Sequence, residues 1–272
     1  MGEPVTERVA VVGAGSMGGA VAAGLVRSGV AEAAQVSVSN PHEAKMAPLR
    51  ELGIACYTDS AQMLAQGPDA VVLAVKPQVL PGVARELAGL LAGRCVISIA
   101  AGLSLSTLEA LMPGARVVRA MPCLPVQALS GATAVCAGAS ATPADVDLAL
   151  RIFGALGSAK LMREDQLDTE SVVVGCEPAF VALFVDYLTR AGVEHGLPAA
   201  DCREMVLTTM RGTCDQLLAS GEHPRAYMEK VTSPGGTTAA ALKAMETQMF
   251  FAVGEAVDAG LERTAELAGK KG

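Results

Sequence analysis

The sequence predicts an α/β protein in two parts: a doubly wound parallel sheet, then an all-helical C-terminal part. Three observations carry this expectation. In the first half, short β-branched runs alternate with segments of helical apolar spacing, the pattern of strands joined by crossover helices. A glycine-rich turn, Gly13-Ala14-Gly15-Ser16-Met17-Gly18, stands between the first strand and the first helix. From about Asp165 the strand-like runs stop and long stretches of helical spacing take over.

Taken in order, Arg8–Val12 reads as a strand, Ser16–Ser28 as a helix and Gln35–Ser39 as the second strand. Helical stretches frame the apolar strands Ala70–Val75 and Cys95–Ile99, and Arg116–Arg119 reads as the sixth strand. Ala132–Cys136 is a further strand, before a helix capped at Thr142 with Pro143 in its first turn. Helical spacing then runs through Phe180–Arg190, Ala199–Ala219 and Thr237–Glu266. We place the boundary near residue 163, so that residues 1–163 form the sheet domain and 164–272 the helical one. The helices of this domain are apolar on more than one face, with Val172, Val173, Val174, Phe180, Leu183, Phe184 and Val185 close together. A helix that is hydrophobic all round needs cover on all sides. A second subunit is the simplest cover, so a homodimer through this domain is expected.

Composition narrows the function classes. Hydrophobic residues make up 51% of the 272 and charged residues 18%, which excludes a disordered chain. Aromatics are 3% and Trp is absent, so the core is built from Ala, Val, Leu, Met and Ile. The net charge of −7, with Lys and Arg scattered, leaves no basic footprint for nucleic acid. Seven cysteines with no C-x-x-C pair argue against a disulfide framework or a structural zinc, so no metal is expected. The apolar runs Ala70–Val75 and Val172–Val174 fall well short of a membrane span, and no targeting segment is visible. The expectation is a cytoplasmic protein with no membrane partner.

The glycine-rich turn carries the first chemical expectation. Placed between strand and helix, G-x-G-x-x-G makes a Rossmann-type dinucleotide site. Gly13 permits the tight turn, Gly15 lets the backbone approach a pyrophosphate, and Gly18 lets helix and strand pack closely. Ser16 and Met17 open the helix, whose free N–H groups and positive dipole end favour phosphate. After the second strand, where an NAD site usually has an acid, the chain reads Ser39-Asn40-Pro41-His42, with Lys45 a turn later. Hydroxyl, amide and cation in place of a carboxylate favour NADPH over NADH. Ala74-Val75-Lys76-Pro77 and Ala100-Ala101-Gly102 follow two strands at their carboxyl ends, where ligands of open α/β sheets lie. Lys76 reads equally as a solvated loop charge.

The second chemical expectation sits at residues 233–238, Ser233-Pro234-Gly235-Gly236-Thr237-Thr238, before the last long helix. A tight loop opening a helix, capped by Thr237 or Thr238, is either an ordinary helix start or a seat for a substrate carboxylate. None of the three His residues stands out as an acid or base. His42 lies by the adenosine end, while His195 and His223 fall in turns of the helical part.

With these motifs in hand, the chain resembles the pyrroline-5-carboxylate reductases, which reduce a cyclic imine to proline. The resemblance spans nearly the whole length: G-A-G-S-M-G at 13–18, A-V-K-P at 74–77, A-A-G at 100–102, M-P-x-x-P at 121–125 and S-P-G-G-T-T at 233–238. It implies an NADP-binding Rossmann domain and a helical domain that dimerises by interlocking helices. It also implies that Ser233, Gly235, Gly236 and Thr237 grip the substrate carboxylate, and that Thr238 approaches the imine nitrogen.

Three departures from the family pattern fall in the substrate half. M-x-N-T-P has become Met121-Pro122-Cys123-Leu124-Pro125, which loses an amide. S-G-S-G-P-A-Y has become Val174-Gly175-Cys176-Glu177-Pro178-Ala179-Phe180, and L-E-x-G-G-F has become Met245-Glu246-Thr247-Gln248-Met249-Phe250. Cys123 and Glu177 therefore join the candidate substrate-binding residues. The expected reaction is reduction of 1-pyrroline-5-carboxylate. The alternatives are a related or substituted cyclic imine of specialised metabolism, and a catalytically silent relative that binds NADPH.

Overall fold

The computed structural model of the protein describes residues 3–267. Its first strand, β1 (Val9–Val12), is buried along its whole length at the centre of the sheet. That is why it reads as an unbroken apolar run: helices cover both faces. After it come α1 (Ser16–Arg27), β2 (Val36–Ser39), α2 (Ala47–Glu51), β3 (Ala55–Tyr57), α3 (Ser60–Leu64), β4 (Ala70–Leu73), α4 (Leu80–Leu91), β5 (Cys95–Ser98), α5 (Leu105–Leu111) and β6 (Arg116–Pro122). The order across the sheet is β3-β2-β1-β4-β5-β6 and then two more strands, β7 (Gly131–Ala137) and β8 (Gly157–Leu161), with α6 (Pro143–Gly154) between them in the chain. Winding reverses between β1 and β4, so the crevice at their carboxyl ends is the switch point where ligands bind in such sheets.

The sheet is not parallel throughout. β7 runs antiparallel to β6, and β8 lies parallel to β7. The cause is the connection: residues 123–130 are too few for a crossover helix, so the chain turns back on itself. Two strands are given no residues by the sequence, for one reason. β3 has three residues and β8 reads Gly-Ser-Ala-Lys-Leu, mostly exposed, so neither edge strand has an apolar face to betray it. The helix predicted after Thr142 forms as α6, with Thr142 and Asp145 capping each other. Asp145 also receives Arg116 Nε at 2.8 Å and Nη2 at 3.0 Å, which ties α6 to β6. Burial pushes this carboxyl up, but the Arg116 and Thr142 hydrogen bonds outweigh it and hold it down at about 2.

The helices that follow are α7 (Glu164–Val173), α8 (Glu177–Glu194), α9 (Ala199–Ser220), α10 (Pro224–Lys230) and α11 (Thr237–Leu267). Residues 177–262 form a compact unit of their own. α7 packs on the sheet, where Leu167 is buried in one cluster with Val117, Met121, Ala134 and Cys136. In the helical unit, α8 buries only Val185 and α9 only Cys202, while Leu218 is 83% and Phe250 75% exposed. The helical stretch 164–194 is long and apolar enough to cross a membrane by length and composition, which the short contiguous runs of the sequence did not reveal. It breaks at 174–176 into α7 and α8.

One buried group on α7 carries a pH dependence. Glu170 is 7% exposed and its Oε2 has no partner among the described residues. Burial pushes its carboxyl up to about 7, against smaller pulls from the Ala134 backbone and Arg119. A raised carboxyl stabilises the fold most below its unfolded pKa of about 4.5, and that contribution is lost as pH rises through about 7. Denaturant melts of Glu170→Gln should therefore match wild type near pH 5. At pH 8 the variant should be more stable by about 3 kcal/mol, because each tenfold change in a group's acidity on folding is worth about 1.4 kcal/mol. An unchanged loss of stability between pH 5 and 8 in the variant would assign that loss to another group.

Candidate functional site

The glycine loop is built by three different constraints. Gly13 has φ +107°, a conformation side chains rarely adopt, and a Cβ there would lie 2.7 Å from the Ala74 carbonyl oxygen. Its N–H donates to Ser39 O at 2.8 Å, which draws the end of β1 against the end of β2. At Gly18 a Cβ would stand 2.0 Å from Gly13 O and 2.7 Å from Ala74 Cβ, so only glycine lets α1 pack on the loop. Gly15 differs, because a Cβ there meets nothing within 4 Å. Gly15 is the N-cap of α1, makes no side-chain cap, and no acid follows in the first turn. The N–H groups of Ser16, Met17 and Gly18 thus have no intrahelical acceptor. An uncapped helix N-terminus facing open space fits the pyrophosphate of a dinucleotide.

At the end of β2 the structure separates residues that are neighbours in sequence. Ser39 is buried and its hydroxyl pairs with Ser60 Oγ at 2.9 Å. Asn40 Oδ1 accepts the His42 N–H at 2.9 Å, and Asn40 N–H donates to Tyr57 O at 3.0 Å. Both side chains hold the β2 terminus in shape. Lys45 is exposed and lines a cleft of about 620 Å³ together with Ala14, Gly15, Ser16, Arg27 and Gln127. The cations Lys45 and Arg27, rather than Ser39 or Asn40, share the open space with the glycine loop.

Across the crevice, Ala74 and Val75 are half-buried, and Lys76 is exposed with no ion pair among the described residues. The Lys76 carbonyl accepts the N–H groups of Val79 at 2.9 Å and Leu80 at 3.0 Å, and Pro77 lies within that turn. Ala100 is buried and its N–H reaches Ser98 Oγ at 3.4 Å, while Ala101 and Gly102 are exposed, Gly102 at φ +75°. Cys123 is buried at the end of β6, and its Sγ accepts the Ala132 N–H at 3.1 Å. That thiol closes the turn into β7.

The remaining candidates lie in the helical unit. Ser233 O accepts the Gly236 N–H at 3.0 Å, closing a turn with Pro234 second and Gly235 third at φ +71°. Capping by Thr237 or Thr238 is corrected by this geometry. Ala240 N–H already donates to Gly236 O at 3.2 Å, so Gly236 is the N-cap and the two threonines are the first helical residues. A Cβ on Gly236 would stand 2.4 Å from Ser233 Oγ, which keeps the position small. The N–H groups of Thr237, Thr238 and Ala239 are left without intrahelical acceptors. Glu177 is exposed at the first position of α8, where a helix dipole favours a carboxylate.

Two participants were invisible in the sequence. Ser60 meets Ser39 across 21 residues and Gln127 meets Ser16 across 111, its Nε2 donating to Ser16 Oγ at 3.1 Å. No motif spacing spans such distances.

The family model for pyrroline-5-carboxylate reductase dimerisation matches residues 164–267, and that for NADP oxidoreductase, coenzyme F420-dependent, matches residues 8–102. A pyrroline-5-carboxylate reductase of Synechocystis sp. is 36% identical, over 97% of this chain and 99% of its own. Among solved structures, a pyrroline-5-carboxylate reductase from Coxiella burnetii is similar at a TM-score of 0.91 with 29% identity, covering 97% of this chain and 99% of that one. Plasmodium falciparum pyrroline carboxylate reductase with NADP bound is similar at a TM-score of 0.83 with 26% identity, covering 97% and 99%.

Proposed function

The chain belongs to the pyrroline-5-carboxylate reductase family, and from that premise we propose that it reduces 1-pyrroline-5-carboxylate to proline with NADPH as the preferred reductant. It is an NAD(P)H-dependent oxidoreductase acting on a C=N bond. The observation that carries the cofactor assignment is the uncapped N-terminus of α1 with open space at Gly15. A bound nicotinamide supplies the hydride, so the protein needs no nucleophile of its own.

The chain's residues then divide the work. Gly13, Gly15 and Gly18 shape the pyrophosphate seat, and the N–H groups of Ser16 and Met17 bind there. Lys45 answers a 2′-phosphate, while Ser39 and Asn40 hold the β2 terminus beneath it. Ala74, Val75, Lys76 and Pro77, with Ala100, Ala101 and Gly102, form small-residue walls along the ribose and nicotinamide. Ser233, Gly235 and Thr237 present a hydroxyl and N–H groups to the substrate carboxylate, and Gly236, whose own N–H is held by Ser233 O, keeps the turn small beside it. Thr238 hydrogen-bonds the nitrogen as it becomes an amine. Orientation of the two reactants is the protein's main contribution to rate.

The apolar faces left open on α8, α9 and α11 support a homo-oligomer, and we read it as a homodimer. The same cover accounts for the apolar stretch at 164–194 without a membrane. All seven cysteines are unpaired, in keeping with a cytoplasmic protein. A second reading rests on Glu177 and Cys123: a carboxylate and a thiol stand where the family carries small or amide side chains, which favours a related imine. NADPH oxidation against a panel of cyclic imines, with and without a carboxylate, decides between them. Pyrroline-5-carboxylate should give the highest kcat/KM, with NADPH bound more tightly than NADH. Preference for an imine lacking the carboxylate would establish the second reading, and equal or tighter NADH binding would remove Lys45 from the cofactor argument.

A further inference from the structure

The connection between β6 and β7 is pinned at its start and reaches the glycine loop at its middle. Cys123 N–H donates to Ala132 O at 3.2 Å and Cys123 Sγ accepts the Ala132 N–H at 3.1 Å, so the turn closes on both sides. Leu129, at φ 56°, is the one non-glycine residue with positive φ among those described, a conformation that disfavours side chains. Its Cδ2 lies 3.4 Å from a Cβ built on Gly24, against the flank of α1. Held this way, the turn carries Gln127 to Ser16, the first residue of α1, where Nε2 donates to Oγ at 3.1 Å. Gln127, Ser16, Gly15 and Lys45 line one cleft.

A serine hydroxyl has one proton to donate and two lone pairs to accept with. Because Gln127 donates, it occupies a lone pair and leaves the Ser16 proton uncommitted. A phosphate oxygen, which only accepts, is the complementary partner for that proton. We propose that Gln127 is a positioning residue for the cofactor, orienting the Ser16 O–H toward the pyrophosphate. This rests on the reading of the glycine loop as the pyrophosphate seat.

NADPH titrations of the full-length protein test it. Gln127→Leu should weaken NADPH binding about twofold to tenfold, the loss of the neutral hydrogen bond that orients the Ser16 hydroxyl. Its kcat at saturating NADPH, its KM for the imine and its melting temperature should stay at wild-type values. Gln127→Glu, which can only accept and so takes the Ser16 proton, should weaken binding further than Gln127→Leu. If Gln127 acts through Ser16, the double variant Ser16→Ala with Gln127→Leu binds no more weakly than Ser16→Ala alone. Wild-type affinity in Gln127→Leu, losses that multiply in the double variant, or a fall in kcat with affinity intact would each overturn the proposal. Failure of the wild-type protein to bind NADPH would instead overturn the reading beneath it.

Discussion

Gly15→Val is expected to abolish useful NADPH binding while leaving the fold intact. The separation is possible because Gly15 is free of neighbours: a Cβ there meets no atom within 4 Å, and its φ of −74° is one any residue adopts. The branched side chain would fill the space that the proposed function gives to the pyrophosphate, beside the orphan N–H groups of α1. Losing two or more charge-assisted hydrogen bonds, at roughly 1.5–3 kcal/mol each, weakens binding by about a hundredfold or more. The melting temperature should fall by no more than a few degrees, because Val is a poorer N-cap than Gly. Gly18→Ala gives the contrasting result. Its Cβ would stand 2.0 Å from the Gly13 carbonyl oxygen, so α1 must shift off the loop. A loss of about 1–3 kcal/mol of stability follows, as for an overpacked core, with cofactor affinity falling alongside. Titration and denaturant melts of both variants read the two outcomes independently. If Gly15→Val keeps wild-type affinity, the open space at Gly15 is not the pyrophosphate seat.

Thr238→Ala is expected to lower turnover about ten- to a hundredfold, the value of one hydrogen bond that tightens as the imine nitrogen becomes an amine. NADPH affinity should be nearly unchanged, since the hydrogen bond removed is the one proposed to the substrate and not one to the cofactor. Thr238 is the second residue of α11, so the substitution to Ala suits a helix and costs little stability. Glu177 then reports on the substrate. If the substrate is an anion and Glu177 lies near it, Glu177→Ser removes a like charge and should raise kcat/KM. If the substrate carries a cationic or donating group, the same change should lower it. Wild-type kinetics in both variants on every imine tested would move the substrate site elsewhere.

The cofactor half was legible because its constraints are local. A strand buried on both faces must be continuously apolar, and the tight turn after it demands glycine at fixed offsets, so Val9–Val12 and Gly13–Gly18 declare themselves within ten residues. Thr142 and Asp145 are equally local, each capping the other across three positions. The helical spacing after residue 176 was legible for the same reason, and the excess of apolar surface on α8 already pointed to a second subunit.

What tertiary structure alone decided involves distant partners or missing patterns. The direction of β7 depends on the length and path of a turn, not on its strand residues, which would serve either direction. β8 is an edge strand with no buried face, so nothing in its composition separates it from a loop. Ser39 reads from sequence as one of the groups that favour NADPH, and only the fold shows that its hydroxyl pairs with one 21 residues away. Gln127 looks like a loop residue, yet the antiparallel turn carries it to the first residue of α1. Local backbone geometry is encoded by neighbours a few positions apart. Which hydroxyl meets which amide is set only when the sheet order brings distant segments to one edge of the crevice.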